Sequence, residues 1–482
     1  MSVRKSLAYS FLDRYASLLI GIVSTMVLAR LLTPAELGVF SVAMAMLAMA
    51  ATVRDMGAGN YLLQEKELTT DRIRAVWALQ LGLGGALALL VAALSSPAAR
   101  FYDEPAMRWV MLLLALNYLI NPLGSLTYAW LMREMRYDAV AIMRFSSTLA
   151  GAAVSITLAW QGHGAISLAW GSLCTTAVNA GVSVFYRPRH FPWMPGVQEL
   201  RRVLAFGTRL TASSIMTTLS KASPDFLLGK LQGMASAGLY SRANGLVELF
   251  GRLVTDAIFP VALSMFSKQA RSGNGFSDEF LRALSYITVL SWSFCLALAL
   301  LAQPTIALLY GPQWGGAVEL TRWLAAAAAM LAPVSLCTAA LVGSGNVGQM
   351  IKATGFSAAT TILAALAGAW LGLDYLGPCL LAAAALNGAC WLIVTRPCAG
   401  FAWRGLLRQL AHGGRIALLA GLAPLGVVLW WGWSPPHPLA AALLGWSGMA
   451  LGFGLSAMAM NHPIGTEVGR LASMAAARLR HL

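Results

Sequence analysis

Apolar stretches of about 20 residues follow one another along almost the whole chain, separated by short polar breaks. A helix of that length crosses a hydrocarbon core of about 30 Å, and in lipid only helices and closed barrels satisfy all of their backbone hydrogen bonds. With 58% hydrophobic and 11% charged residues, the chain is far from the composition of a soluble domain. The sequence therefore predicts an all-α polytopic membrane protein with about fourteen transmembrane helices. The predicted spans are residues 9–30, 37–56, 75–95, 107–128, 140–160, 164–186, 205–227, 237–260, 281–302, 318–341, 348–372, 375–395, 413–433 and 438–460.

A sequence repeat organises these spans. Residues 28–41 recur 200 positions later as residues 228–241, with a cation, a turn and a glycine in the same order. Chance similarity between two helix ends is the alternative explanation. Because each half would contain six spans, both halves would enter the membrane in the same direction. They would then be related by a pseudo-twofold axis along the membrane normal, an arrangement typical of carriers. The identical pairs are Leu28/Leu228, Leu31/Leu231, Ala35/Ala235, Gly38/Gly238 and Ser41/Ser241.

The repeat also predicts the domain boundaries. We expect two six-helix bundles joined by a proline-containing cytoplasmic linker, followed by two extra helices that have no repeat partner and by a cytoplasmic tail. The predicted boundaries are 1–186 for the first bundle, 187–204 for the linker, 205–395 for the second bundle and 396–482 for the rest.

A second pair of similar segments supports this division. Residues 96–124 and 303–335 share an aromatic turn, at Tyr102 and Tyr310, and a distal proline. These prolines, Pro122 and Pro333, are expected to kink spans four and ten at matching places.

Basic residues predict the orientation. With the N-terminus in the cytoplasm, 24 of the 34 Lys and Arg residues fall on the cytoplasmic side and only five in the opposite loops. This asymmetry follows the positive-inside rule and places both termini in the cytoplasm. The first apolar stretch ends in Arg30 without a small-residue cleavage site, so we expect a retained span rather than a signal peptide. The net charge of +15 is therefore mainly a topology signal, and dispersed basic loops do not predict a nucleic-acid partner.

The remaining five cations fall within predicted spans, where polar residues form stripes at i+4 spacing in spans one, seven and eight. An ionised side chain at mid-membrane costs about 2.5–3.5 kcal/mol even on a lenient insertion scale. Several of them should therefore face an aqueous cleft between the halves. The predicted substrate-binding, cleft-lining residues are Arg14, Ser17, Ser24, Arg209, Ser213, Thr217, Lys221, Asp225, Arg242, Asn244, Glu248, Arg252 and Asp256.

Less specific interpretations of these stripes stay open. One alternative is an ion-pair ladder within a single helix, formed by Glu248, Arg252 and Asp256, whose only role is to neutralise its own charges. Arg14 and Arg209 lie near the predicted cytoplasmic interface, where long cationic side chains can extend to water.

The sequence does not predict catalysis, a cofactor or a metal site. The six cysteines form no CxxC or Cys/His pattern, and no Ser-His-Asp order, P-loop or dinucleotide-binding motif occurs. Buried thiols packed as small apolar groups are the expected role of these cysteines.

Three stretches of the sequence resemble a known family. The stretch Arg30 to Phe40, with the pattern Arg-Leu-Leu-x-Pro-x-x-x-Gly-x-Phe, is similar to the first-loop signature of Wzx-type polysaccharide flippases. Asp55–Gly57 and the later Leu309–Trp314 resemble that family too. These flippases belong to the multidrug/oligosaccharidyl-lipid/polysaccharide exporter superfamily, and the resemblance extends to about residue 420.

The resemblance implies a function and its partners. The protein would flip an undecaprenyl-diphosphate-linked oligosaccharide across the bacterial inner membrane by alternating access, for exopolysaccharide or O-antigen biosynthesis. The bilayer is its environment, and a polymerase and glycosyltransferases of the same pathway are the further partners implied.

Three alternatives are kept. A lipid II-type flippase shares the layout of two halves plus two spans. A multidrug/cation antiporter of the same superfamily would require a more acidic cleft. A membrane glycosyltransferase or polymerase would require a larger outer loop than residues 304–319.

Overall fold

The structure is a computed structural model of the 482-residue chain. It describes residues 3–55, 62, 65, 68–188, 191–192, 194–272 and 275–465, without the side chains of residues 3–14, 53, 55 and 201–213. Within those ranges the regular elements are helical. The first seven helices are α1 (Val3–Leu31), α2 (Pro34–Asp55), α3 (Thr70–Phe101), α4 (Pro105–Arg133), α5 (Tyr137–Trp160), α6 (Ala165–Tyr186) and α7 (Leu200–Leu231).

The remaining helices include several interrupted ones. They are α8 (Met234–Phe250), α9 (Asp256–Arg271), α10 (Ser277–Leu300), α11 (Ala302–Leu309), α12 (Ala317–Leu331), α13 (Cys337–Gly343), α14 (Val347–Leu371), α15 (Leu373–Ala399), α16 (Trp403–Ala420), α17 (Leu422–Trp431) and α18 (Pro438–Ala459).

These helices confirm the predicted all-α polytopic membrane fold. Over the described ranges, ten spans have the length and apolar composition of a membrane crossing, or eleven if the pair α16 and α17, bent by 40°, is one span. The predicted count of fourteen is consistent with these helices and stays a prediction.

The two matched prolines have different local effects. Helix α4 continues through Pro122. At Pro333, in contrast, a 3₁₀ turn at Ala332–Val334 separates α12 from α13. A proline removes one backbone donor, and the second site accommodates this loss by changing the helix type.

The start of α2 is fixed by a capping box. Thr33 Oγ1 accepts a hydrogen bond from the Glu36 backbone N–H (3.3 Å), and Glu36 Oε2 accepts one from the Thr33 backbone N–H (2.8 Å). Pro34 occupies the first helical position, where its missing N–H costs nothing. The pattern Thr-Pro-x-Glu therefore ends the turn after α1 and positions Gly38 one turn into α2.

Residue contacts divide the chain into two units, Met1–Gly238 and Leu239–Leu482. In the first unit α5 packs on α6 and on α1, and α7 packs on α2 and α3. The α5–α6 contact is made by small residues, since a Cβ on Gly171 would lie 2.8 Å from the Gly151 carbonyl oxygen. The predicted boundaries of the two bundles stay a prediction, because they come from the sequence repeat and not from packing.

The second unit has its own apolar core. Phe266, Phe276, Phe280 and Phe401 are buried together, and the rings of Phe280 and Phe401 stack with centroids 5.4 Å apart. Helix α10 lies between α16 and α12, and α14 packs on α15. This core connects the start of α10 with the start of α16.

Candidate functional site

Helix α7 has an accessible polar face. Ser214, Thr217 and Lys221 are exposed and lie within about 60° of one another around the helix. Ser223 lies on the opposite side and is buried, as is its neighbour Ala222. The polar residues of α7 thus occupy the face that the rest of the first unit leaves uncovered.

The same face becomes buried towards the Leu231 end of α7. Asp225 is half-buried, and Leu228 is fully buried. A Cβ on Gly229 would lie 2.9 Å from a Val42 methyl group and 3.2 Å from the Tyr102 ring. The polar face is therefore open in its middle and closed at one end by α2 and by the end of α3.

Tyr102 and Lys230 join the ends of α3 and α7. The Tyr102 hydroxyl donates to the Phe226 carbonyl (3.4 Å), while Lys230 donates to the Phe101 carbonyl and lies 3.6 Å from the Asp103 carboxylate. Burial, with a smaller contribution from the Asp225 carboxylate, raises the pKa of Tyr102 to about 12, so this hydroxyl keeps its proton. Lys230 places a positive charge at the C-terminal carbonyls of α3, which is the favourable end for a cation.

Next to this junction the two copies of the sequence repeat touch through their backbones. A Cβ on Gly38 would lie 2.7 Å from the Met234 carbonyl carbon, and one on Gly238 would lie 2.8 Å from the Pro34 carbonyl carbon. Since Pro34 and Met234 are also 200 positions apart, the contact is reciprocal, as expected around a local twofold axis. Only glycine permits this approach of α2 and α8. We call this pair of contacts the glycine contact.

Helix α1 separates apolar from polar residues. Tyr15, Leu19 and Val23 are exposed on one side. Ser17 and Ser24 are half-buried and lie about 180–200° around the helix from Tyr15. The apolar side is suited to lipid, whereas the two serines face away from it.

Gly21 lies on the serine side of α1. It corresponds to Lys221 in the repeat, and a Cβ there would meet nothing within 4 Å. The serine side therefore borders open space.

Arg242 of α8 belongs to the second unit and is largely covered. Its guanidinium lies 6.0 Å from the Tyr310 ring centroid, and its Nε is buried without a hydrogen-bond partner among the described residues. A guanidinium over an aromatic face is stabilised by the ring quadrupole. The Arg242 guanidinium is thus packed on an aromatic ring of its own unit.

The predicted stripe of span eight is not a regular i+4 series. A π-helical turn, Gly251–Thr255, separates α8 from α9 and shifts the register before Asp256. Glu248 and Arg252 form an i,i+4 ion pair of 3.1 Å, while Asp256 is exposed and Asn244 half-buried. Single π turns occur often at functional sites. This turn could not be predicted from the sequence, because residues spaced by four look the same whether or not the helix between them contains an extra residue in one turn.

Three predicted site residues lie outside the described side chains: Arg14, Arg209 and Ser213. The cleft-lining role of the whole predicted set stays a prediction. Four residues at the closed end of the α7 face were not predicted as site residues: Gly38, Gly229, Tyr102 and Lys230. The repeat did pair Gly38 with Gly238.

The Leu309–Trp314 motif forms a compact turn. Gly311 has φ +101°, a conformation that favours glycine, and Pro312–Trp314 forms a 3₁₀ turn. Trp314 is fully buried, with its ring centroid 6.1 Å from that of Tyr310. The motif therefore positions Tyr310 beneath Arg242.

The described helices and polar faces define a multi-pass membrane protein with the fold of known transporters. The structure superposes on the lipid II flippase MurJ in an inward closed conformation with a TM-score of 0.74, at 11% identity, covering 95% of this chain and 99% of that one. An inward-facing multidrug resistance MATE family transporter gives a TM-score of 0.62, at 15% identity, over 83% and 95% of the two chains.

Sequence comparison shows the family. The family model described as polysaccharide biosynthesis protein matches residues 27–319, and the chain belongs to this family. The succinoglycan biosynthesis transport protein ExoT of Rhizobium meliloti is 25% identical over 72% of this chain and 70% of its own length. The lipopolysaccharide biosynthesis protein WzxC of Escherichia coli is 24% identical over 63% of this chain and 62% of its own length.

Proposed function

We propose that this protein translocates an undecaprenyl-diphosphate-linked oligosaccharide from the cytoplasmic to the outer leaflet of the bacterial inner membrane. The product would serve exopolysaccharide or O-antigen biosynthesis. Membership of a polysaccharide biosynthesis family and the similarity to a succinoglycan transport protein support the substrate class. The observation that carries the mechanism is the polar face of α7, which is open in its middle and closed at its Leu231 end.

The chemistry of such a substrate fits this face. A diphosphate and a hydroxyl-rich sugar cannot enter hydrocarbon without replacement of their water. Lys221 supplies a compact cation for phosphate. Ser214 and Thr217, together with Ser17 and Ser24 of α1, supply hydroxyls for the sugar. The lipid tail would remain in the bilayer beside the apolar side of α1.

The transport step follows from the closed end. With both termini in the cytoplasm, as the basic loops predict, the Leu231 end of α7 lies at the outer side. The polar face of α7 is then open on the inner side, and within the first unit α2 and the end of α3 cover its outer end, next to the glycine contact. Transport would require that contact to separate while the inner side closes, which is alternating access. The described polar residues are suited to binding and release, so we propose a transporter rather than an enzyme.

Two related functions are distinguished by the charge of the cargo. A drug/cation antiporter would bind a cationic substrate, which Lys221 on the open face disfavours. A lipid II-type flippase carries the same diphosphate and differs in the sugar; the polysaccharide family favours the oligosaccharide.

The direct experiment is reconstitution of the purified chain into vesicles that contain a labelled undecaprenyl-diphosphate oligosaccharide. We expect its headgroup to become accessible in the opposite leaflet to a membrane-impermeant reagent, faster than in protein-free vesicles. Lipid II and a cationic dye are the comparison substrates. Extrusion of the dye without movement of the oligosaccharide would contradict the proposal, and a preference for lipid II would replace it with the lipid II-type function.

A further inference from the structure

The second unit contains a separate basic cavity of about 500 Å³. It lies where the start of α10, the start of α16 and the segment after α18 meet. None of its residues belongs to the predicted substrate face. The residues that matter for its chemistry are Arg282, Ser285, Tyr286, Arg408, His412 and His462.

Its two arginines occupy the same position along their helices. Arg282 is the sixth residue of α10, and Arg408 is the sixth residue of α16. At 1.5 Å per residue, each lies about 7.5 Å along its helix from the first residue. Both are exposed, and neither forms an ion pair with any residue of the described ranges. Asp278 is the one carboxylate that lines the cavity, so the arginines exceed the acids there.

Hydrogen bonds and ring contacts connect the residues of the wall behind the arginines. His462 Nδ1 accepts a hydrogen bond from the Ile464 backbone N–H (3.2 Å), so its proton is on Nε2, which donates to the buried Ser285 hydroxyl (2.9 Å). The His412 ring stacks on His462 with centroids 5.6 Å apart, and Tyr286 meets it edge-on. Burial, and then the neighbouring His412, lower the pKa of His462 to about 4. His462 is therefore a neutral structural partner, and Arg282 and Arg408 provide the positive charge.

The position of the cavity indicates the kind of ligand that it can bind. The starts of α10 and α16 and the end of α18 fall on the side to which the basic loops point, the predicted cytoplasmic face. Two arginines about one and a half turns inside the helix starts reach the depth of lipid headgroups. Planar guanidinium groups pair well with phosphate oxygens, and basic pockets between membrane helices on this side bind anionic headgroups.

We propose that this cavity binds the phosphate headgroup of an anionic phospholipid from the cytoplasmic leaflet, such as phosphatidylglycerol. Arg282 and Arg408 contact the phosphate, while Ser285 and His462 hold the wall in place. The bound lipid ties α10 to α16 and to the segment after α18. This inference does not depend on the identity of the transported substrate.

The test measures lipid binding to the full chain. The purified protein in neutral detergent is titrated with phosphatidylglycerol, with phosphatidylcholine of the same acyl chains, and with inorganic phosphate, and bound lipid is counted by native mass spectrometry. We expect phosphatidylglycerol to bind at least tenfold more tightly than phosphatidylcholine. The double variant Arg282→Gln/Arg408→Gln should lose that preference.

A matched control separates the cavity from general charge. Arg404→Gln/Arg415→Gln removes two exposed charges of α16 that do not line the cavity, and it should keep the preference. Arg282→Lys/Arg408→Lys retains both charges and should keep part of the binding. Partial binding by this variant would show that the loss in the Gln variant comes from the missing charges and not from misfolding. Three results would each overturn the lipid-headgroup site. They are an equal loss of the lipid preference in the control variant, an unchanged preference in the Arg282→Gln/Arg408→Gln variant, and competition by inorganic phosphate at equal concentration.

Discussion

Lys221→Gln should lower substrate translocation about 10- to 150-fold while the amount of protein in the membrane stays normal. Lys221 is exposed on the open polar face of α7, so removal of its charge disturbs little packing. A hydrogen bond to a charged group contributes about 1.5–3 kcal/mol, which corresponds to that range of rates if Lys221 holds the diphosphate. The measurement is headgroup translocation in reconstituted vesicles.

Two further variants show whether the effect belongs to the site. Lys221→Arg keeps the charge and should retain most of the activity. Lys352→Gln removes an equally exposed lysine of α14 in the second unit and should leave translocation unchanged. Full activity of Lys221→Gln would exclude this lysine from substrate binding.

Gly38→Ala is expected to disfavour the outward-closed state about 5- to 150-fold relative to the open one. Its Cβ would overlap the Met234 carbonyl oxygen and lie 2.7 Å from the Met234 carbonyl carbon, where a normal carbon–carbon contact is about 3.5 Å, so α2 and α8 must separate by at least about 1 Å. Overpacking of this kind costs about 1–3 kcal/mol, which gives the stated population shift. Translocation should fall accordingly.

The reciprocal geometry provides its own controls. Gly238→Ala should have a similar effect, and the double variant should add little, because both substitutions open the same contact. Gly82→Ala on α3 places the same methyl group in open space and should be neutral. An outward-closed population in Gly38→Ala equal to that of Gly82→Ala would show that the glycine contact does not close the outer side.

Much of the fold could be predicted from the sequence. Apolar length predicted the helices, because the length and composition of a span are local properties. The repeat paired Gly38 with Gly238 because identity at a fixed shift is visible in sequence. That the two glycines touch depends on how distant helices pack, which spacing does not encode.

The candidate site was predicted less completely. The i+4 series predicted that Thr217 and Lys221 share one side of α7, because helical periodicity decides which residues share a side, and both are exposed there. The series at Glu248, Arg252 and Asp256 missed the π turn. The contact of Tyr310 with Arg242 could not be predicted either, because the two residues are 68 positions apart and local spacing does not report such contacts.

The central claim is that the polar face of α7 borders water on the inner side and is closed at the outer side. Single cysteines in a background without native cysteines, labelled with a membrane-impermeant maleimide from each side, test it most directly. We expect Lys221→Cys to react from the cytoplasmic side and Leu228→Cys to be protected until substrate is transported. Leu19→Cys, on the apolar side of α1, should stay unreactive. Unreactive Lys221→Cys, or labelling of Leu228→Cys from the outer side without substrate, would contradict it.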